Sequence, residues 1–299
     1  MSAPTDQREY RQVRQSNLSQ TAKETITVLP SVLSQLPTIN AEESTLHLLA
    51  SLPSLKAESC PGHSSCTVRV IDDDTLDAAI ALSKPDAARV VVLNLASDTH
   101  AGGGWRNGAL AQEESICYRS SLSLSLHQSH YPLPQLGAIY TPSMVVMRTS
   151  WTKGHAIMHN TKPEDLPVMS VISLAALRRP KTRSIRNPAD RSIVLRYGFE
   201  NHADRNLTKS KMRLCLRLAG MNGHTRLVLG ALGCGAFRNP TEEVAICWRE
   251  VLQEPEFSGG WWEEIVFAVL DKGSDGDNGA RDNDGNFAVF ERVLNGLVV

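Results

Sequence analysis

Residues Arg89-Val90-Val91-Val92-Leu93-Asn94-Leu95-Ala96-Ser97-Asp98-Thr99-His100-Ala101-Gly102-Gly103-Gly104 run an apolar segment straight into three consecutive glycines. The run 90–93 has no polar break, as expected of a strand covered on both faces. Glycines let a backbone press against a ligand, and three in a row carry an entropy cost that a plain turn does not need. After a gap of seven residues come Gln112-Glu113-Glu114, opening a stretch expected to be helical over 113–126. Two carboxylates just beyond such a loop can do proton chemistry on whatever it holds.

Working outward, strand-like and helix-like segments alternate. Strands are expected at 66–71, 144–148, 168–174, 226–231 and 265–270. Helices are expected at 74–83, 212–219, 240–252 and 287–297. The acidic start Asp74-Thr75-Leu76-Asp77 suits a helix N-terminus. Residues 7–28 place Tyr10, Val13, Leu18, Ala22 and Ile26 at helical spacing, with Pro30 expected to close a surface helix. Residues 45–51 are apolar and fit helix or strand; 52–66 carry Pro, Gly, Ser and Cys, as a loop or linker does. The expectation is an α/β three-layer αβα sandwich with a mixed sheet: a helical extension over 1–65, then one domain over 66–299. Ligands bind such sheets beyond the carboxyl ends of their strands.

A second glycine loop follows the strand at 226–231: Gly230-Ala231-Leu232-Gly233-Cys234-Gly235-Ala236-Phe237-Arg238-Asn239-Pro240. Small residues there either aim successive N–H groups at phosphate oxygens or serve only a tight turn. Asn239 is expected as an N-cap, with Pro240 at N1 and Glu242 at N3. The loop is neither the dinucleotide-binding fingerprint nor a P-loop.

Composition narrows the classes. The chain has 299 residues, 41% of them hydrophobic, enough for a sizeable core. Charge is balanced, 31 Lys+Arg against 32 Asp+Glu, which disfavours a protein that grips nucleic acid by bulk charge. No apolar run reaches membrane-spanning length, and the polar start lacks a secretory signal's apolar core. The six cysteines include no CxxC pair and are read as reduced, in an intracellular protein, nuclear or cytoplasmic. Cys60, His63 and Cys66 read as incidental loop residues rather than a zinc knuckle. His155 and His159 read as a solvated loop, and Asp275, Asp277, Asp282 and Asp284 as an exposed acidic loop without EF-hand spacing. The basic run Arg178, Arg179, Lys181, Arg183, Arg186 is either a solvated loop or a contact for a polyanion. No metal or cofactor is expected.

The two loops together resemble a known family. Gly102-Gly103-Gly104 followed by Gln112-Glu113-Glu114 is similar to the signature of poly(ADP-ribose) glycohydrolases. Asn94, Ala96, Asn107-Gly108-Ala109, Ala111, Leu227-Val228-Leu229-Gly230-Ala231, Gly233-Cys234-Gly235 and Phe237 resemble its bacterial and fungal branch. The resemblance spans about 70–270. Ala101 stands where that branch has Pro, Leu232 where it has an aromatic, and Arg238 where it often has Gly. The resemblance implies a macrodomain that binds ADP-ribose and hydrolyses ribose–ribose bonds of the polymer. It implies Glu114 as catalytic acid/base and Glu113 as the group bonding ribose hydroxyls. Gln112 would hold the loop, Asn94 would belong to the binding site, and Gly102, Gly103, Gly104 and Asn107 would embrace the ribose. Gly233, Cys234, Gly235, Ala236 and Phe237 would wrap the diphosphate. Implied partners are poly(ADP-ribose) and ADP-ribosylated proteins, with ADP-ribose as product, no membrane, no sequence-specific nucleic acid, and a monomeric protein. The alternatives are removal of single ADP-ribose units and a reader that binds without cleaving.

Overall fold

A computed structural model describes residues 7–84, 88–271 and 285–299. The apolar run lies at the centre of the sheet. β3 (Val91–Leu95) pairs in parallel with β5 (Val168–Leu174) on one side and with β8 (Arg226–Leu229) on the other. Beyond β8 lie β9 (Glu264–Ala268) and β2 (Arg69–Ile71), both parallel to it. Beyond β5 lie β4 (Gly137–Val145) and the edge strand β1 (Thr45–Leu48), each antiparallel to its neighbour. The result is one mixed seven-stranded sheet, β1-β4-β5-β3-β8-β9-β2.

The two faces of β3 feed two cores, as the period-two geometry of a strand requires. Val91 and Leu93 join Leu227, Leu229, Ile265 and Phe267 on the face covered by α5 (His202–Met221), α6 (Thr241–Leu252) and α7 (Asn286–Leu294). Val92 joins Val228 and Val266 on the other face, with α1 (Gln7–Leu33), α2 (Thr75–Leu82) and α3 (Gln112–Arg119). Helices thus cover both sides, the αβα arrangement expected.

The helix expected to close at Pro30 continues to Leu33. Pro30 and Ile26 are both exposed, so the carbonyl that loses its partner faces water, and the Ser34 N–H still bonds the Pro30 carbonyl at 3.0 Å. The buried stripe of α1 is Leu18, Ala22, Thr25 and Leu29, whereas Tyr10, Val13 and Ile26 are exposed. The stripe includes a threonine because its hydroxyl donates to the Tyr118 carbonyl at 2.8 Å. Arg148 joins the same cluster, donating to Thr25 Oγ1 at 2.9 Å and to Glu24 at 2.5 Å. With β1 at the sheet edge and α1 packed on one face, the described part of 1–65 is built into the 66–299 unit.

Two further differences matter for the site. The helix expected over 113–126 breaks at Ser120, which is extended and bridges Val146; α4 (Leu122–Ser125) then follows. The Ser120 hydroxyl bonds the Ile116 carbonyl at 2.7 Å and accepts the Leu122 N–H at 3.2 Å, replacing helical partners. The basic run is only partly a loop. Arg178, Arg179 and Lys181 precede a strand, whereas Arg183 and Arg186 lie within it: β6 (Thr182–Arg186), paired antiparallel with β7 (Val194–Phe199). The helix expected at 212–219 extends over all of α5. Asp275, Asp277, Asp282 and Asp284 lie outside the described residues.

Candidate active site

Strands β5, β3 and β8 are neighbours and parallel, so three chain segments leave the sheet side by side: 96–111 after β3, 175–181 after β5 and 230–240 after β8. Both glycine loops are among them. Motifs separated by more than a hundred residues therefore meet at one edge, where open α/β sheets bind ligands.

In the first loop Gly102 and Gly103 are left-handed, with φ of 74° and 60°. A Cβ on Gly103 would collide with Oε1 of Glu114 and stand 3.0 Å from Oε2 of Glu113. The turn therefore lies directly on both carboxyls. The Gly104 N–H donates to Glu114 Oε1 at 2.9 Å. Beneath the turn Trp105 is buried, and the Tyr118 hydroxyl donates to the carbonyls of Trp105 and Ala109 at 2.8 Å each. Gln112 bonds the end of β3, accepting the Leu95 N–H at 2.8 Å and donating to the Leu93 carbonyl at 2.7 Å. Asn107 turns toward α1: its carbonyl accepts from Gln15 at 2.9 Å, and it borders a polar groove of about 350 Å³ along that helix.

The two glutamates differ in surroundings, as adjacent residues on a helix must. Glu113 is 3% exposed. Its Oε2 accepts the Ser97 N–H at 2.7 Å, and its Oε1 lies 3.4 Å from the side-chain amide of Asn94, which also donates to Ser173 at 3.0 Å. Burial pushes the Glu113 carboxyl up to about 8, against the bond from Ser97, and the charge of Glu114 acts in the same upward direction. Oδ1 of Asn94 and the hydroxyl of Tyr131 are buried without a hydrogen-bond partner among the described residues. Ser97, Tyr118, Tyr131 and Ser173 carry no signal in the sequence, since single polar residues near a motif have no spacing to detect.

The second loop divides its glycines between the two readings. Gly233 is left-handed at 76°, and a Cβ there would strike the Asn239 amide and Ala176, so the turn itself requires it. At Gly235 a Cβ would meet nothing. Folding places no demand on that position, and the bare backbone there is open to close approach. The Cys234 side chain is buried in the core, so only its backbone faces the loop. Ala236 is exposed and Phe237 half-buried, with the Arg178 guanidinium 4.8 Å from its ring centre. Arg178 also donates to Asp98 at 2.6 Å, tying the first loop to the second. Asn239 is not the N-cap of α6; Pro240 is. The Asn239 amide instead donates inward to the carbonyls of Leu177 at 2.7 Å and Gly233 at 3.1 Å, closing the loop. Arg238 is left-handed at 54°, the conformation a glycine adopts freely.

His155 departs from the solvated loop expected. Both its ring nitrogens are buried without partners among the described residues, and its ring lies edge-on to Tyr118 and Trp151. Burial, then the charges of Arg148 and Arg119, push its pKa down to about 4.

An αβα sandwich that lays a glycine turn over paired carboxyls at its parallel strand ends is a macrodomain-like domain equipped for acid/base chemistry. Residues 6–149 match the family model described as microbial-type PARG, catalytic domain. This segment, which holds the first glycine loop and both glutamates, is thus similar to the catalytic domain of microbial-type poly(ADP-ribose) glycohydrolases. Among solved structures it resembles the poly(ADP-ribose) glycohydrolase of Thermomonospora curvata, at 24% identity and a TM-score of 0.68 over 93% of this chain and 99% of that one. The same enzyme bound to the inhibitor ADP-HPD aligns with a TM-score of 0.67 at 24% identity, with the same coverage. The Deinococcus radiodurans enzyme in complex with ADP-ribose aligns at 25% identity and 0.61, over 85% of this chain and 95% of that one. No curated protein matches the sequence.

Proposed function

We propose that this protein hydrolyses the ribose–ribose O-glycosidic bonds of poly(ADP-ribose) and releases ADP-ribose. The observation that carries this reading is the Gly104 N–H bond to Glu114 within a turn that has no Cβ between backbone and carboxyl. A sugar ring seated on that turn brings its glycosidic oxygen to Glu114. Glu114 protonates the leaving oxygen as the anomeric C–O bond breaks and positive charge develops on the ring. The resulting carboxylate takes a proton from the water that attacks the anomeric carbon, and the acid is restored. Glu113, protonated at neutral pH by its burial, is suited to bonding a ribose hydroxyl rather than to accepting a proton. The backbone of 233–237 offers the diphosphate an approach without side chains at Gly235. Both proton transfers use one carboxyl, so the step calls for no metal.

The test is release of ADP-ribose from purified polymer, with a mono-ADP-ribosylated peptide in parallel and EDTA present. Turnover of polymer by the wild type and none by Glu114→Ala are expected. Tight ADP-ribose binding without turnover by the wild type would replace this reading with a binding module. Turnover of the peptide alone would replace it with a mono-ADP-ribosyl hydrolase.

A further inference from the structure

Charge is unevenly distributed along the chain. Between 178 and 196, seven residues are Arg or Lys and one, Asp190, is acidic, a net +6 in a chain of net −1. This stretch runs from the end of the β5 loop through the β6–β7 hairpin. It is anchored to the second glycine loop: the Arg179 N–H donates to the Phe237 carbonyl at 2.7 Å, and Asn239 donates to the Leu177 carbonyl. Its far strand is held to α6 by the ion pair of Arg196 with Glu243.

The pairing of these cations separates them from the others on the same side of the sheet. Along α5, Arg205, Arg213 and Arg217 each bond a glutamate of the α6 side, as surface arginines commonly do. In the hairpin stretch Arg178 and Arg196 are neutralised, by Asp98 and Glu243. Arg179, Lys181, Arg183 and Arg191 are exposed and form no ion pair with any described residue. Folding does not use them, and their mutual repulsion opposes it. A ligand rich in negative charge accounts for their concentration here. Arg178 and Arg179 touch the second loop, and Lys181 and Arg183 follow within about 14 Å along an extended chain. The exposed large residues of the hairpin are Ile193, Val194 and Leu195, and its aromatic residues are the half-buried Tyr197 and the buried Phe199, so it presents no row of exposed rings of the kind a single-stranded nucleic acid site stacks on.

We propose that the β6–β7 hairpin is a second binding site, for the diphosphates of poly(ADP-ribose) units beyond the two joined by the scissile bond. The proposal rests on the reading of polymer as substrate. The site acts by charge, so it holds long chains and gives nothing to a substrate with a single cleavable bond.

The experiment compares wild type with the triple variant Lys181→Gln, Arg183→Gln, Arg191→Gln, whose charged groups pair with no described residue. Substrates are length-fractionated long polymer and the two-unit oligomer, each over a range of NaCl. For the variant, KM on long polymer is expected to rise about tenfold, with its salt slope shallower by roughly 0.7 for each phosphate no longer neutralised. Turnover and KM on the two-unit oligomer are expected to stay unchanged. An unchanged KM on long polymer, or an equal rise on both substrates, would overturn the proposal. So would loss of binding to single-stranded DNA with polymer kinetics intact, which would make the hairpin a nucleic acid site. Absence of turnover of either substrate by wild type would instead remove the function on which the proposal rests.

Discussion

The backbone N–H of Gly104 holds Oε1 of Glu114 at 2.9 Å, so the turn proposed to receive the substrate also fixes the carboxyl proposed to act on it. Substitution at the adjacent Gly103 therefore tests both at once. Gly103→Ala adds a Cβ against both carboxyls at a left-handed residue. It is expected to lose about 1–2 kcal/mol of stability from backbone conformation alone and to lower kcat/KM by at least a hundredfold. Gly235→Ala, where a Cβ meets nothing, is expected to keep the wild-type melting temperature and lose ADP-ribose affinity. Calorimetric titration beside thermal melts separates the two; equal affinity in Gly235→Ala would make that glycine incidental.

Glu113 should print its burial on the pH dependence of stability. Its carboxyl is raised from 4.5 to about 8 in the folded protein. Between those values the folded state keeps a proton that the unfolded state releases. This group's contribution is complete below the unfolded pKa and declines as pH rises through the folded one, by about 1.4 kcal/mol per pH unit. Glu113→Gln removes that slope. Denaturant midpoints measured between about pH 5 and pH 8 should fall more steeply for wild type than for the variant, and parallel lines would contradict the shift.

Much of the central architecture is legible in the sequence because its signals are repetitive. The run 90–93 and the apolar segment before Gly230 are covered on both faces, and unbroken apolar runs say so; the strand at 168–174 is mostly apolar despite Ser170 and Ser173. The edges are harder. The β6–β7 hairpin reads as a charged loop, since its strands carry Thr, Arg and Ser and are only partly buried. The buried stripe of α1 is not the one its apolar residues suggest, because Thr25 belongs to it and Tyr10, Val13 and Ile26 do not. At the site, the motifs locate Glu113 and Glu114. What they do not carry is which carboxyl the fold buries, since that depends on Ser97 and Asn94 closing around Glu113.

The packing of α1 against the first glycine loop is expected to matter for rate. Gln15 donates to the Asn107 carbonyl at 2.9 Å and Ser19 to the Arg106 carbonyl at 2.9 Å. A Cβ on Gly108 would collide with the Gln15 carbonyl. Gln15→Ala should cost about 1 kcal/mol of local stability and raise hydrogen exchange at 102–110. Gly108→Ala should lower kcat severalfold further. Wild-type exchange in that loop for both variants would show the helix to be a bystander.

Arg238 occupies a left-handed backbone position at φ 54°. Arg238→Gly relieves a conformational cost of about 1–2 kcal/mol, partly offset by glycine's extra freedom in the unfolded chain. A small gain in stability is expected, measured by urea titration. Its guanidinium forms no ion pair with a described residue, and it stands on the loop proposed to take the diphosphate. ADP-ribose affinity should therefore fall about fivefold, the effect of removing one exposed cation from beside a phosphate; an unchanged Kd would leave the arginine without a role in binding.

The attachment of α1 also sets an order of events at the ribosome. Its partners lie far along the chain: Gln15 meets Asn107, Thr25 meets Tyr118, and Glu24 meets Arg148. This helix is made before its partners and must wait for between 92 and 124 further residues before it finds its seat, and pairings so distant in sequence slow assembly. A version trimmed of its first thirty residues would still contain every residue of both glycine loops, yet it would uncover the apolar surface that Leu18, Ala22 and Leu29 bury and leave the first loop unbraced. A segment that supplies no group to the chemistry is thus part of what holds those groups in place.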